Sequence, residues 1–66
     1  MNKRFLRLPT VIDRTGYSRS SIYALMSRNE FPKAYPLGGR AIGWLEGDID
    51  AWIDARVKEG QSQRAA

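Results

Sequence analysis

Apolar residues recur along this chain at the spacing of helices that pack one face against a core. Three stripes follow the i, i+3, i+4 pattern, which extends to i+7 in the first stripe and to i+8 in the third. They are Leu8, Val11, Ile12 and Thr15; Ile22, Leu25 and Met26; and Ile49, Trp52, Ile53 and Val57. The spacing predicts a helix over residues 8–15, a second helix from Ser18 to about Asn29, and a third that opens at residues 46–50.

The boundary between the first two predicted helices has the residues of a tight turn. Gly16 can end a helix in the left-handed region because it has no Cβ atom. Ser18 is a favourable N-cap for the helix that follows. Pro32 stops the second helix, since the residue before a proline avoids helical backbone angles, and Phe31 is expected to fold back onto the core. This pattern predicts a helix-turn-helix.

A β-hairpin is predicted between the second and third helices. Residues 33–37 suit an extended edge strand, and Gly38-Gly39 lies between two apolar segments. Arg40 lies at or beside the tip. Residues 5–8 are expected to form a short strand or an extended lead-in, with Phe5 or Leu6 buried. A two-stranded hairpin in this position is a wing, so the predicted fold is mainly α with a small β-hairpin: a winged helix-turn-helix of three helices and a two-stranded wing.

The length of the chain, 66 residues, predicts one small domain. We divide it into a basic arm over residues 1–4, a winged helix-turn-helix over 5–58 and a disordered polar tail over 59–66. Trp44 and Trp52 are expected in the core, because aromatic residues dominate small cores. The chain has neither cysteine nor histidine, which excludes disulfides, Cys/His zinc sites and Cys/His nucleophile pairs. No cofactor, metal, small-molecule substrate or enzymatic activity is predicted.

The charge of the chain is strongly basic and unevenly distributed. The net charge is +4 and the pI is about 10.0. Eight of the eleven lysines and arginines precede residue 46, against only Asp13 and Glu30 as acids. The charged residues within 46–59 are mostly acidic, and the aspartates among them are read as helix-start and solvent-face charges. One basic side suits a polyanionic partner, although an ordinary solvated surface is the alternative.

The second helix presents the residues expected of a DNA-reading helix. If Ile22 faces the core, Ser20 and Ser27 lie on the far side, and Arg19 and Tyr23 share one flank. Small hydroxyls, an arginine and a tyrosine at a helix start can enter the major groove. The same turn is also common in small helical domains that bind no DNA. For Arg40, the alternative to a DNA contact is an ion pair with an acid such as Glu46.

Several motifs, in their order along the chain, resemble one family. They are Arg7-Leu8-Pro9, Thr15 through Tyr23, Phe31-Pro32, Gly38-Gly39-Arg40, Gly43-Trp44 and Asp50-Ala51-Trp52-Ile53. Together they resemble the AlpA family of phage and prophage regulators, which is similar to excisionases and to the winged domain of MerR-type regulators. The resemblance covers about residues 5–57. Gly47, near the predicted start of the third helix, departs from the polar residue expected there.

The resemblance implies that the second helix reads the major groove and that the wing touches the backbone or minor groove. The predicted recognition-helix residues are Ser18, Arg19, Ser20, Ser21, Tyr23 and Ser27. The predicted wing residues are Gly38, Gly39 and Arg40. The predicted backbone contacts are Lys3, Arg4, Arg7, Arg28 and Lys33.

The predicted function is that of a sequence-specific bacterial or phage DNA-binding protein. The resemblance implies a transcriptional regulator that activates integrase or mobile-element genes, an excisionase (recombination directionality factor), or both. Expected partners are double-stranded DNA, further copies of the chain side by side on DNA, and an integrase. A cytoplasmic, nucleoid-associated protein is expected, since no membrane span or signal peptide is visible. The rival is a protein–protein adaptor whose basic helix face binds an acidic partner.

Overall fold

Six elements follow one another along the chain in the order that the sequence predicts. The computed structural model describes residues 3–65; Met1 and Asn2 of the predicted arm and Ala66 of the predicted tail lie outside the described residues. The elements are β1 (Phe5–Leu6), α1 (Leu8–Thr15), α2 (Arg19–Ser27), β2 (Tyr35–Gly38), β3 (Ala41–Leu45) and α3 (Glu46–Ala65). This architecture confirms the winged helix-turn-helix with three helices.

The wing hairpin is part of a slightly larger sheet. Its strands β2 and β3 are antiparallel, and β1 joins the other edge of β3 in the order β1-β3-β2. The pairing of Leu6 with Trp44 and of Phe5 with Leu45 makes a third strand. The sequence does not distinguish this strand from an extended lead-in, because two residues are too few to show a periodic pattern. Leu6 points inward and is 2% exposed, whereas Phe5 is largely exposed.

The core lies between the three helices and the inner face of the sheet. Its buried side chains are Leu6, Val11, Ile22, Leu25, Phe31, Trp44 and Ile49. Trp44 is the largest fully buried residue, and its indole N–H donates to the carbonyl of Pro32 at 3.1 Å. Phe31 folds back as predicted and packs edge-on between Trp44 and Trp52. The core therefore joins the helix-turn-helix to the wing.

Helix α2 ends earlier than the proline signal predicted. The last helical residue is Ser27, and Asn29 takes the left-handed conformation with φ of 57°. The Asn29 amide donates to the Met26 carbonyl and the Glu30 amide to the Leu25 carbonyl. These two bonds are those of a Schellman motif, in which asparagine replaces the usual glycine. The predicted end of α2 near Asn29 is therefore two residues too late. Asn29 lies outside the helix that it terminates.

Helix α3 differs from its prediction in two ways. Ile49 is buried and Trp52 and Ile53 pack against the core, but Val57, the last residue of the predicted stripe, is 51% exposed. The helix also continues to Ala65, where a disordered tail was expected from residue 59. Glutamine, arginine and alanine favour helix, and no proline interrupts residues 46–65. Whether residues 59–66 form a tail separate from the domain stays a prediction.

Arg14 joins α1 to the start of α3. Its guanidinium pairs with the carboxylate of Glu46 and donates to Asp50 at 3.0 Å. The amide of Glu46 donates to the Arg4 carbonyl at 2.8 Å, which ties β1 to the same point. These contacts fix the wing strand, which ends at Leu45, relative to the helix-turn-helix.

Candidate nucleic-acid interface

The turn between α1 and α2 is held by local hydrogen bonds. Gly16 has φ of 75°, and its amide donates to the Ile12 carbonyl at 2.8 Å. The Thr15 hydroxyl donates to the Val11 carbonyl and accepts from the Tyr17 amide. The left-handed glycine that the sequence predicted therefore ends α1 and sets the direction in which α2 begins.

Ser18 caps α2, as the sequence predicted. Its hydroxyl accepts from the Ser21 amide at 3.2 Å and donates to the Ser21 hydroxyl at 3.0 Å. Both serines are exposed, but their hydroxyls already serve the helix start. Two of the predicted recognition residues, Ser18 and Ser21, thus have a structural role in the free protein. The sequence motif does not distinguish this role from a contact with DNA.

Ser18→Ala is expected to lower the free energy of unfolding by about 1 kcal/mol, because it removes the N-cap acceptor. Ser18→Asp keeps a capping acceptor and should retain nearly the wild-type stability. If α2 enters DNA, the added carboxylate should weaken DNA binding despite that stability. Urea denaturation and DNA titration of both variants measure the two effects; equal stability of wild type and Ser18→Ala would contradict the capping role.

The outward face of α2 presents the other predicted recognition residues. Ile22 and Leu25 are buried, while Arg19, Ser20, Tyr23 and Ser27 are exposed. The Arg19 guanidinium lies 5.9 Å from the centre of the Tyr23 ring, which confirms that the two share a flank. The Ser27 hydroxyl donates to the Ala24 carbonyl of its own helix at 2.7 Å. Arg19, Ser20 and Tyr23 are therefore the residues of this face whose side chains form no hydrogen bond within the described part of the chain.

The hairpin tip is built from two left-handed glycines. Gly38 has φ of 110° and Gly39 of 54°, and an added Cβ atom would meet open space at either position. Arg40 follows them and is exposed. Glu46, the acid suggested as its partner, pairs with Arg14 instead. The tip thus presents bare backbone and one arginine that makes no ion pair within residues 3–61.

The predicted backbone cations fall into two groups. Lys3, Arg4, Arg7 and Lys33 are exposed and form no ion pair in the described residues. Arg28 is exposed too, but its Nε lies 3.3 Å from the Glu30 carboxylate. Its charge is partly neutralised, which the linear spacing of the two residues could have suggested.

Arg14 belongs to the basic residues of the first 45 positions, but the two acids that pair with it lie far away in the sequence. Its two acids are 32 and 36 residues further along the chain. No local pattern in the sequence could identify this pairing. Setting aside Arg14 and Arg28 leaves six cations in residues 3–45 that form no ion pair in the described part of the chain: Lys3, Arg4, Arg7, Arg19, Lys33 and Arg40.

None of the helices within residues 3–65 has the length and apolar character needed to cross a lipid bilayer.

Residues 4–57 match the family model described as prophage CP4-57 regulatory protein (AlpA). The chain is 41% identical over 61 residues to the DNA-binding transcriptional activator AlpA of Escherichia coli K12, with 83% of this chain and 87% of that protein aligned. It is 44% identical over 55 residues to the uncharacterized protein ORF88 of Enterobacteria phage P4. There the alignment covers 83% of this chain but only 62% of the phage protein. No solved structure matches. The chain belongs to the AlpA family of prophage regulatory proteins.

Proposed function

We propose that this protein is a sequence-specific DNA-binding transcriptional regulator without enzymatic activity. The observation that carries the proposal is the start of α2, where a serine cap leaves Arg19, Ser20 and Tyr23 exposed on one helix face. Helices of this kind place their N-terminal residues against base edges in the major groove. The relationship to a DNA-binding transcriptional activator supports the same function.

Each group of exposed residues has a distinct role in this proposal. Arg19 and Ser20 contact bases, because their donors can match the pattern that base edges present in the major groove. The free cations contact phosphates, which positions the domain without reading sequence. Arg40 at the wing tip reaches a phosphate or the minor groove, where bare glycine backbone permits close approach. The recognition helix thus supplies specificity, and the wing and arm supply affinity.

The finer part of the proposal concerns the biological process. The protein activates integrase or other mobile-element genes, acts as an excisionase, or does both, in the bacterial cytoplasm. A domain of this size gains affinity when copies bind side by side at repeated sites, and such an array can bend DNA. An integrase is then a further partner on the same DNA.

Selection from a pool of random 20-base-pair duplexes tests sequence-specific binding directly. We expect the wild-type protein to enrich one short motif. Footprinting on the DNA around its own gene and around the nearest phage attachment site then separates the two processes. Protection at a promoter supports activation, and protection beside the recombination site supports excision. Failure to enrich any motif would contradict the proposal.

Arg40→Ala tests the wing. Because a phosphate contact carries no sequence information, the variant should bind specific and non-specific duplexes more weakly by the same factor, about tenfold at 0.1 M salt. The slope of log affinity against log salt concentration should lose about one unit. Lys58→Ala, which removes an exposed cation from α3, is the matched control and should bind as wild type. An unchanged affinity of Arg40→Ala would remove the wing from the interface.

A further inference from the structure

We propose that Tyr23 is a positioning residue whose ring holds the Arg19 guanidinium ready to contact a guanine. This inference rests on the proposed function and assigns its specificity to one pair of side chains. The two residues are one turn apart on α2, and the guanidinium carbon lies 5.9 Å from the ring centre. That distance is within the range of a cation–π contact, and guanidinium groups also stack on aromatic faces. Tyr23 therefore acts through Arg19.

The Arg19 side chain has no charged partner in the described residues that would restrain it. It is exposed and forms no ion pair with any acid in residues 3–61. The neighbouring hydroxyls of Ser18 and Ser21 are bonded to each other and to the helix start. An arginine side chain loses considerable rotamer freedom when it is fixed in one geometry. A ring that restricts the guanidinium before binding lowers this entropic cost when DNA is bound.

Guanine is the base that such an arrangement selects. It presents two acceptors, O6 and N7, side by side in the major groove, and the planar fork of arginine matches both. A lysine in place of Arg19 keeps the positive charge but lacks the fork. Charge alone would serve a phosphate equally well, so a loss of guanine preference in Arg19→Lys separates base reading from backbone contact.

The Tyr23 hydroxyl has no part in the contact with Arg19. The sequence suggested that Tyr23 itself touches DNA, and a direct contact would use the hydroxyl as donor or acceptor. Tyr23→Phe keeps the ring and removes the hydroxyl, whereas Tyr23→Leu removes the ring and keeps an apolar side chain that favours helix. The pair of variants separates positioning from direct contact.

The experiment is selection from the random 20-base-pair duplex pool with wild type, Tyr23→Phe, Tyr23→Leu and Arg19→Lys. Affinities for the selected duplex and its single-base variants follow. We expect wild type and Tyr23→Phe to prefer guanine at one position by roughly tenfold to a hundredfold. Arg19→Lys should lose most of that preference. Tyr23→Leu should reduce the guanine preference about threefold to tenfold at the same position. Combined with Arg19→Lys, it should cause no further loss of that preference.

A second measurement tests the contact in the free protein. Ring currents should shift the Arg19 side-chain proton resonances upfield in wild type and Tyr23→Phe, but not in Tyr23→Leu. Circular dichroism of all variants should match wild type. A structural role of Tyr23 alone would change helix content or stability without changing the preference at a single base.

The possible outcomes separate this inference from the proposed function. If wild type selects a motif but Tyr23→Leu keeps the full guanine preference, the inference is wrong and the function stands. The same holds if Tyr23→Phe behaves like Tyr23→Leu, because the hydroxyl then contacts DNA directly. Absence of the upfield shift in wild type also overturns the positioning role. If wild type selects no motif, the function and the inference fail together.

Discussion

Replacing Trp44 with alanine is expected to leave the protein largely unfolded at 25 °C. Trp44 is fully buried, donates to the Pro32 carbonyl and contacts Phe31 edge-on. Truncation of such a residue costs about 3–5 kcal/mol. A core in a domain of this size supplies no more than about 3–5 kcal/mol of stability. The loss of one side chain therefore equals the whole free energy of unfolding.

Far-ultraviolet circular dichroism during urea and thermal denaturation measures this effect. Trp44→Phe keeps an aromatic ring and should retain a cooperative transition at lower stability. Val57→Ala is the control, because it shortens an apolar side chain at an exposed position. Its denaturation midpoints should equal those of wild type. A cooperative transition of Trp44→Ala within a few degrees of wild type would show that the core does not depend on this residue.

Raising the salt concentration fourfold, from 50 to 200 mM, is expected to weaken DNA binding by roughly 250- to 1,000-fold. Within residues 3–45, six cations are exposed without an ion pair to any described residue: Lys3, Arg4, Arg7, Arg19, Lys33 and Arg40. Four to six phosphate contacts give a slope of about −4 to −5 in log affinity against log salt concentration. Each contact releases a counterion, so the slope counts contacts.

Fluorescence anisotropy of a labelled mixed-sequence duplex gives this slope. Arg14→Gln is an informative comparison, because Arg14 already pairs with Glu46 and Asp50 and should contribute no phosphate contact. Its slope should equal that of wild type. A wild-type slope near zero would count against DNA as the partner and in favour of a protein–protein adaptor.

Much of the fold could be predicted because its signals are local. The i, i+3, i+4 stripes located α1 and α2, Gly16 and Ser18 marked the turn between them, and Gly38-Gly39 marked the hairpin. Each of these features depends on residues a few positions apart, where backbone angles and side-chain spacing are sufficient. The exposed face of α2 followed from the same periodicity.

What the sequence did not predict depends on residues that are distant along the chain or on weak local preferences. The pairing of Arg14 with acids on α3 and the joining of β1 to β3 are contacts between remote segments. Val57 continues the stripe of α3, but whether a stripe is buried depends on where the facing elements end. Asn29 ends α2 because asparagine tolerates the left-handed region, so the helix stops before Pro32 can limit it.

The direct junction between the wing strand and α3 limits how the length of this chain can vary. Strand β3 ends at Leu45 and α3 begins at Glu46, whose amide is bonded to the Arg4 carbonyl. One inserted residue would rotate every later side chain by about 100° and turn Ile49 out of the core. A deletion would do the same in the opposite direction. Insertions and deletions are therefore compatible with the fold at the exposed hairpin tip, and incompatible with it at this junction.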